Sequence, residues 1–100
     1  MLKLFISQPM NGMSNEEILQ KRKEAKEYVK NIMGEEVEEI DSFFENAPHD
    51  AKPLWYLGKS IQLLAKADCV FFAKNWYRYR GCRIEHACAD QYGLKKIYEQ

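Results

Sequence analysis

A single glutamate, Glu85, is the side chain around which any chemistry in this 100-residue chain would be built. It falls one turn into a helix expected over Gly81–Tyr92, and a carboxylate there has two readings. It can complement the helix macrodipole, a contribution of about 0.3–1 kcal/mol, or it can face a ligand. Upstream, Gln8-Pro9-Met10-Asn11-Gly12 follows an apolar run and precedes a second helical pattern. Such a turn is either a plain connection or a nest of backbone amides suited to phosphate or ribose oxygens. The Gly-Lys-Ser/Thr ending of a P-loop is absent. Trp55, Tyr56, Trp76, Tyr77 and Tyr79 are able to stack a base, and equally able to pack the fold or meet another subunit. His49 and His86 lack metal-ligand spacing, and Cys69, Cys82 and Cys88 contain no C-x-x-C pair. No metal or cofactor is implied.

These residues need elements to position them. Leu2–Ser7 reads as a buried strand ended by the Gln8-Pro9 break. Ser14-Asn15-Glu16-Glu17 is a capping box, and the helix behind it places Ile18, Ala25, Val29 and Ile32 on one face. Gly34 suits its end. Val37–Ile40 is a short strand interrupted by glutamates, and Phe43–Lys52 an exposed loop. Pro53 opens a second helix whose expected core face is Leu54, Leu57, Ile61 and Leu64. Asp68–Ala73 is the strongest central-strand candidate after the first. The third helix is expected to turn Ile84, Ala87 and Cys88 inward, and Lys95–Tyr98 completes the series.

The alternation β-α-β-α-β-α-β argues for a parallel sheet with right-handed crossovers. The expected fold is a three-layer α/β domain over residues 1–100, flavodoxin- or Rossmann-like. Its short sheet has four strands in the order 2-1-3-4, with helices on both faces. In such sheets ligands bind beyond the carboxyl ends of the strands. That rule selects Ser7–Gly12, Asp41 and Ser42, and Lys74–Gly81. It adds Glu85 and the start of the second helix with Tyr56, Gly58 and Ser60. Asp68 begins a strand at the opposite end and is expected to be structural.

Composition narrows the partners. Fifteen basic and fifteen acidic side chains cancel, so no global field draws polyanions, and no nucleic-acid polymer is expected. The glutamates of Glu35–Glu39 read as a solvated face. No apolar stretch is long enough for a signal sequence or a membrane span. Three cysteines without a pairing pattern suit a reducing compartment, so a cytoplasmic location is expected.

Three motifs taken in order carry a resemblance. Phe5-Ile6-Ser7-Gln8-Pro9-Met10-Asn11-Gly12 comes first, and Leu64-Ala65-Lys66-Ala67-Asp68 follows. Trp76 then precedes Arg80-Gly81-Cys82-Arg83-Ile84-Glu85-His86-Ala87-Cys88-Ala89. Together they resemble a phage and bacterial domain of unknown function, DUF4406, within the nucleoside 2-deoxyribosyltransferase-like superfamily. The match covers nearly the whole chain, which ends an α/β unit short of the full enzymes. The resemblance implies cleavage or transfer at the N-glycosidic bond of a nucleoside or nucleoside 5′-monophosphate. Enzymes of that superfamily use a carboxylate nucleophile that attacks the anomeric carbon, and water or another base resolves the glycosyl-enzyme.

By the same resemblance Glu85 takes the nucleophile's position. Ser7, Gln8, Pro9, Met10 and Gly12 form the loop that holds a 5′-phosphate, with Trp76, Tyr79, Arg80 and Gly81 flanking the ligand. The helix N-terminus and Arg80 are expected to favour an ionised Glu85. Two positions depart from the pattern. Where active relatives carry an aspartate that helps protonate the leaving base, this chain has Ser60, with Asp41 as the other candidate acid. Where they hold the sugar with Ser or Asp, it has Tyr79. A non-catalytic nucleotide-binding or sequestering module on the same fold is the alternative. A homo-oligomer is expected on either reading, since relatives complete their sites from a neighbouring subunit and Tyr98 lies near a sheet edge.

Overall fold

A computed structural model describes residues 1–100. β1 (Leu2–Ser7), β2 (Val37–Glu39), β3 (Cys69–Phe72) and β4 (Lys95–Tyr98) form one sheet. All neighbours pair in parallel, in the order β2-β1-β3-β4. The crossovers are α1 (Asn15–Met33), α2 (Pro53–Leu64) and α3 (Arg80–Gln91), the last preceded by a 3-10 turn at Trp76–Arg78.

Strand alternation sorts the core into two layers. Leu4 and Ile6 join Cys69, Phe71 and Ile97 beneath Ala25 and Val29 of α1. Phe5, Val70 and Phe72 face the other way, onto Leu64, Ala67 and Ala89 beside α2 and α3. Successive residues at the end of β1 must therefore part. Ser7 follows Phe5 to the α2–α3 side, and Gln8 follows Ile6 to the α1 side.

The capping box at Ser14 forms in both directions, at 3.1 Å each way between Ser14 and Glu17. Those bonds, the backbone N–H of Ser14 first, hold the Glu17 carboxyl below its ordinary range. At the other end Gly34, at φ +69°, donates its N–H to Lys30 O and stops the helix. At the start of β1, Asp68 accepts the Lys3 backbone N–H at 2.8 Å, a structural task far from the ligand edge.

Two of the three helices, α2 and α3, are turned relative to their apolar patterns, while α1 departs at one residue. On α1 the buried stripe is Ile18, Arg22, Ala25 and Val29, and Ile32 is exposed because Met33 takes its place against the core. On α2 only Ser60 and Leu64 are buried; Leu54 is 78% exposed and Ile61 41%. The inward axis of α2 runs through Ser60 and Leu64, so Leu54 and Ile61 look out and Leu57 is only half-buried. On α3 the buried residues are Cys82, Glu85 and Ala89, while Ile84 and Ala87 are exposed and Cys88 is half-buried. The spacing i, i+3, i+7 is helical, but it runs through a carboxylate.

Candidate active site

Beyond the carboxyl end of β1, on the α2–α3 side, four polar side chains converge. Ser7 ends β1 and is fully buried. Its Oγ donates to Oε1 of Glu85 at 2.7 Å, the ordinary length for a hydroxyl-to-oxygen bond. Glu85 is 9% exposed and the only buried carboxylate of the chain. Ser60 on α2 and Cys82 on α3 complete the cluster, both buried.

Burial is the largest influence on Glu85 and pushes its carboxyl above the ordinary range, while the Ser7 and Ser60 hydroxyls partly oppose the rise. The expected charge support from Arg80 is therefore corrected. Arg80 lies exposed on the first turn of α3, where solvent screens it, and burial is the larger influence on Glu85. Cys82 responds to the same surroundings: burial raises its thiol first, the Ser7 hydroxyl opposes, and the Glu85 charge raises it again. A carboxyl lifted this way is less firmly ionised, a property that suits proton transfer, whereas attack needs the ionised form.

The loop after Ser7 runs over the same edge. Gln8, Pro9 and Met10 are half-buried, and Asn11 and Gly12 are exposed. Met13 N–H closes a turn on Met10 O at 3.2 Å, and Gly12 sits at φ +79°, where a side chain would be strained. Tyr79 caps α3 and is exposed, as is Gly81 beside Arg80. Trp76 is half-buried, with its ring stacked on His86 at 4.0 Å and 12° and also against Phe72 and Tyr98. The imidazole Nε2 of His86 meets the Tyr98 hydroxyl at 2.7 Å, so the histidine is a packing residue of this aromatic cluster. Asp41 is exposed and has no bond to the Glu85 cluster. Its neighbour Ser42 is buried and bound instead by Arg22.

Arg22 was not singled out from the sequence, Ser42 was selected only by its place after β2, and Cys82 only as an unpaired cysteine within a motif. A signal for Arg22 was present. It stands four residues after Ile18 and three before Ala25, inside an apolar stripe, and a basic residue there must find a buried partner.

The fold is that of the nucleoside 2-deoxyribosyltransferase-like proteins. A solved structure of a 2-deoxyribosyltransferase from Bacillus psychrosaccharolyticus aligns with 96% of this chain and 70% of its own length. The TM-score is 0.60 and the identity 17%. That protein is described as a suitable biocatalyst for the industrial synthesis of antiviral and antitumoral nucleosides. No curated protein matches the chain. Residues 2–98 match the family described as Domain of unknown function (DUF4406), and the chain belongs to that family.

Proposed function

We propose that this protein cleaves, or transfers across, the N-glycosidic bond of a nucleoside or nucleoside 5′-monophosphate, with Glu85 as nucleophile. The observation that carries the reading is the Ser7–Glu85 bond. It fixes one oxygen of a buried carboxylate beyond the carboxyl end of β1. The ionised carboxylate attacks the anomeric carbon, the carbon–nitrogen bond breaks, and the base leaves with its electron pair. A proton reaches that base from solvent through the Ser60 hydroxyl or from Asp41. Water, or a second base in a transfer, then attacks the same carbon and frees Glu85 as carboxylate. The Gln8–Gly12 loop and Arg80 hold phosphate or sugar, with Trp76, Tyr79 and Gly81 beside the ligand. The similarity to a deoxyribosyltransferase supports the substrate class.

One observation favours the second reading, a nucleotide-binding or sequestering module. Glu85 has no second buried carboxylate to act with, whereas glycosidase chemistry usually works with a pair. Incubation with a panel of nucleosides and their 5′-monophosphates, scoring free base by chromatography, separates the two. Release of base supports the enzyme; tight binding without turnover supports sequestration.

The same proposal includes a homo-oligomer in the cytoplasm. Its supports are the outward Leu54 and Ile61 of α2, seven residues apart on one helix face, apolar surface of the kind that subunits cover, and three free cysteines. No helix is long and apolar enough to cross a membrane.

A further inference from the structure

Arg22 is a buried charge that the proposed chemistry does not use. It projects from the second turn of α1 and is 2% exposed. Its Nε donates to Oε2 of Glu39 at 2.6 Å. One terminal nitrogen, Nη2, donates to Ile40 O and to Ser42 Oγ, both at 3.0 Å. One guanidinium thus holds the last residue of β2 and the first turn of the loop behind it. The other terminal nitrogen, Nη1, is buried without a partner. A buried donor left unpaired costs about 1–3 kcal/mol, so the arrangement calls for an acceptor.

Sheet register indicates where that acceptor lies. Leu4 pairs with Glu39, and Ile40 N–H continues the ladder to Leu4 O at 2.8 Å. Alternation puts Leu4, Ile6 and Gln8 on the α1 side, the side on which Glu39 meets Arg22. The guanidinium spans Glu39 to Ser42 on β2 and its continuation. Gln8 is the α1-facing residue after Ile6 on the adjoining chain, just past the end of β1, and it lines a pocket with Lys21 and Ala25, which flank Arg22 along α1. Its carboxamide Nε2 is the other buried side-chain nitrogen without a partner. Two donors cannot satisfy each other. A half-turn of the carboxamide exchanges nitrogen for oxygen. Turned that way, it would offer Oε1 to Arg22 Nη1 and direct Nε2 to the pocket where Gln8 meets Lys21, Glu24 and Glu99.

We propose that Arg22 is a positioning residue for both loops that frame the ligand edge. It holds the Ile40–Lys52 loop through Ile40 and Ser42, and the Gln8–Gly12 loop through Gln8 Oε1. The proposal rests on the glycosidase reading only for its kinetic consequence. The loop that would hold phosphate and the loop that carries Asp41 are then set by one guanidinium, touching neither substrate nor Glu85.

The test is backbone amide exchange, read by mass spectrometry on the whole chain, with Arg22→Lys and Gln8→Leu. Lysine keeps the charge opposite Glu39 but cannot span Ser42 and Gln8 together. Arg22→Lys is expected to raise exchange in both 8–12 and 40–46 by about tenfold. Gln8→Leu, which keeps the β2 contacts, is expected to raise it in 8–12 alone. With nucleoside 5′-monophosphate, Arg22→Lys raises KM by about tenfold and leaves kcat within about threefold. Unchanged exchange in either loop in Arg22→Lys, in a sample that melts cooperatively, overturns the proposal. If Arg22→Lys does not fold, Gln8→Leu decides: protection of 8–12 equal to wild type overturns it. Wild type that turns over no substrate removes the glycosidase reading and leaves the exchange result to decide the role of Arg22.

Discussion

Ser7 and Glu85 stand 78 residues apart in the chain and share one 2.7 Å hydrogen bond. The bond links the last residue of the central strand to an inward position on α3, so the fold itself sets the carboxylate. One oxygen is held, and desolvation lifts the carboxyl above its ordinary range. Removing the donor leaves that oxygen buried without a partner. Ser7→Ala is expected to lower stability at neutral pH by about 1–3 kcal/mol. Because the hydroxyl stabilises the charged form, the acidic limb of base release also moves to higher pH. Melting curves and a pH–rate profile check the two effects separately.

Glu85 weakens the fold when ionised. Its folded pKa is raised above the unfolded value of about 4.3. The favourable contribution is fully present below the unfolded pKa and is lost as pH rises through the folded one. Glu85→Gln is therefore expected to be more stable than wild type at pH 7, by about 0.5–2 kcal/mol, in the manner of other active-site replacements. The gap should narrow as pH falls through the carboxylate range. Denaturant titrations at several pH values measure it, and a gap independent of pH would remove the assignment of the shift to burial.

Ser60→Asp restores a carboxylate beside Glu85. A positioned general acid contributes on the order of 10²–10⁴-fold, so base release is expected to rise at least about tenfold. The price is a second acidic group in a buried cluster, which lowers stability and couples its titration to that of Glu85. Initial rates against pH check both.

The ion pair between Arg22 and Glu39 joins a buried guanidinium to a carboxylate that is 27% exposed. Glu39→Ala is expected to cost up to about 3 kcal/mol, less than a wholly buried pair because water reaches the carboxylate side. Urea titration measures it.

Leu54→Lys in a face with no intramolecular partner is expected to leave the melting temperature within a few degrees while shifting the protein to a smaller species. Size-exclusion chromatography with light scattering reads the change. A wild-type monomer would contradict the oligomer.

The parallel sheet and the placement of Ser7, Ser60 and Glu85 at one edge were legible from periodicity and alternation, and the strand order followed from the flavodoxin-like fold expected for them. Apolar runs such as Leu2–Ser7 and Cys69–Phe72 have one way to be buried twice. Helix rotation was not legible. Periodicity marks Leu54, Leu57, Ile61 and Leu64 as a face, but cannot say whether it meets the sheet or another surface. On α2 and α3 the polar site residues turn inward and displace Ile61 and Ile84 outward. The protonation bias of Glu85 was misread for a related reason: the helix end and Arg80 are visible in sequence, whereas desolvation depends on what packs around the carboxyl. Arg22 was hidden by its charge, since its partners Glu39, Ile40 and Ser42 arrive from another strand.

The most direct measurement compares wild type and Glu85→Gln in release of free base from the nucleoside and 5′-monophosphate panel, with intact mass recorded during turnover. Removal of a nucleophile typically costs several orders of magnitude, about 10³-fold or more. The account predicts release by wild type with a sugar-sized mass added at Glu85, and loss of both in Glu85→Gln. Release that survives Glu85→Gln within about tenfold, with no adduct, would contradict the nucleophile at the centre of this account.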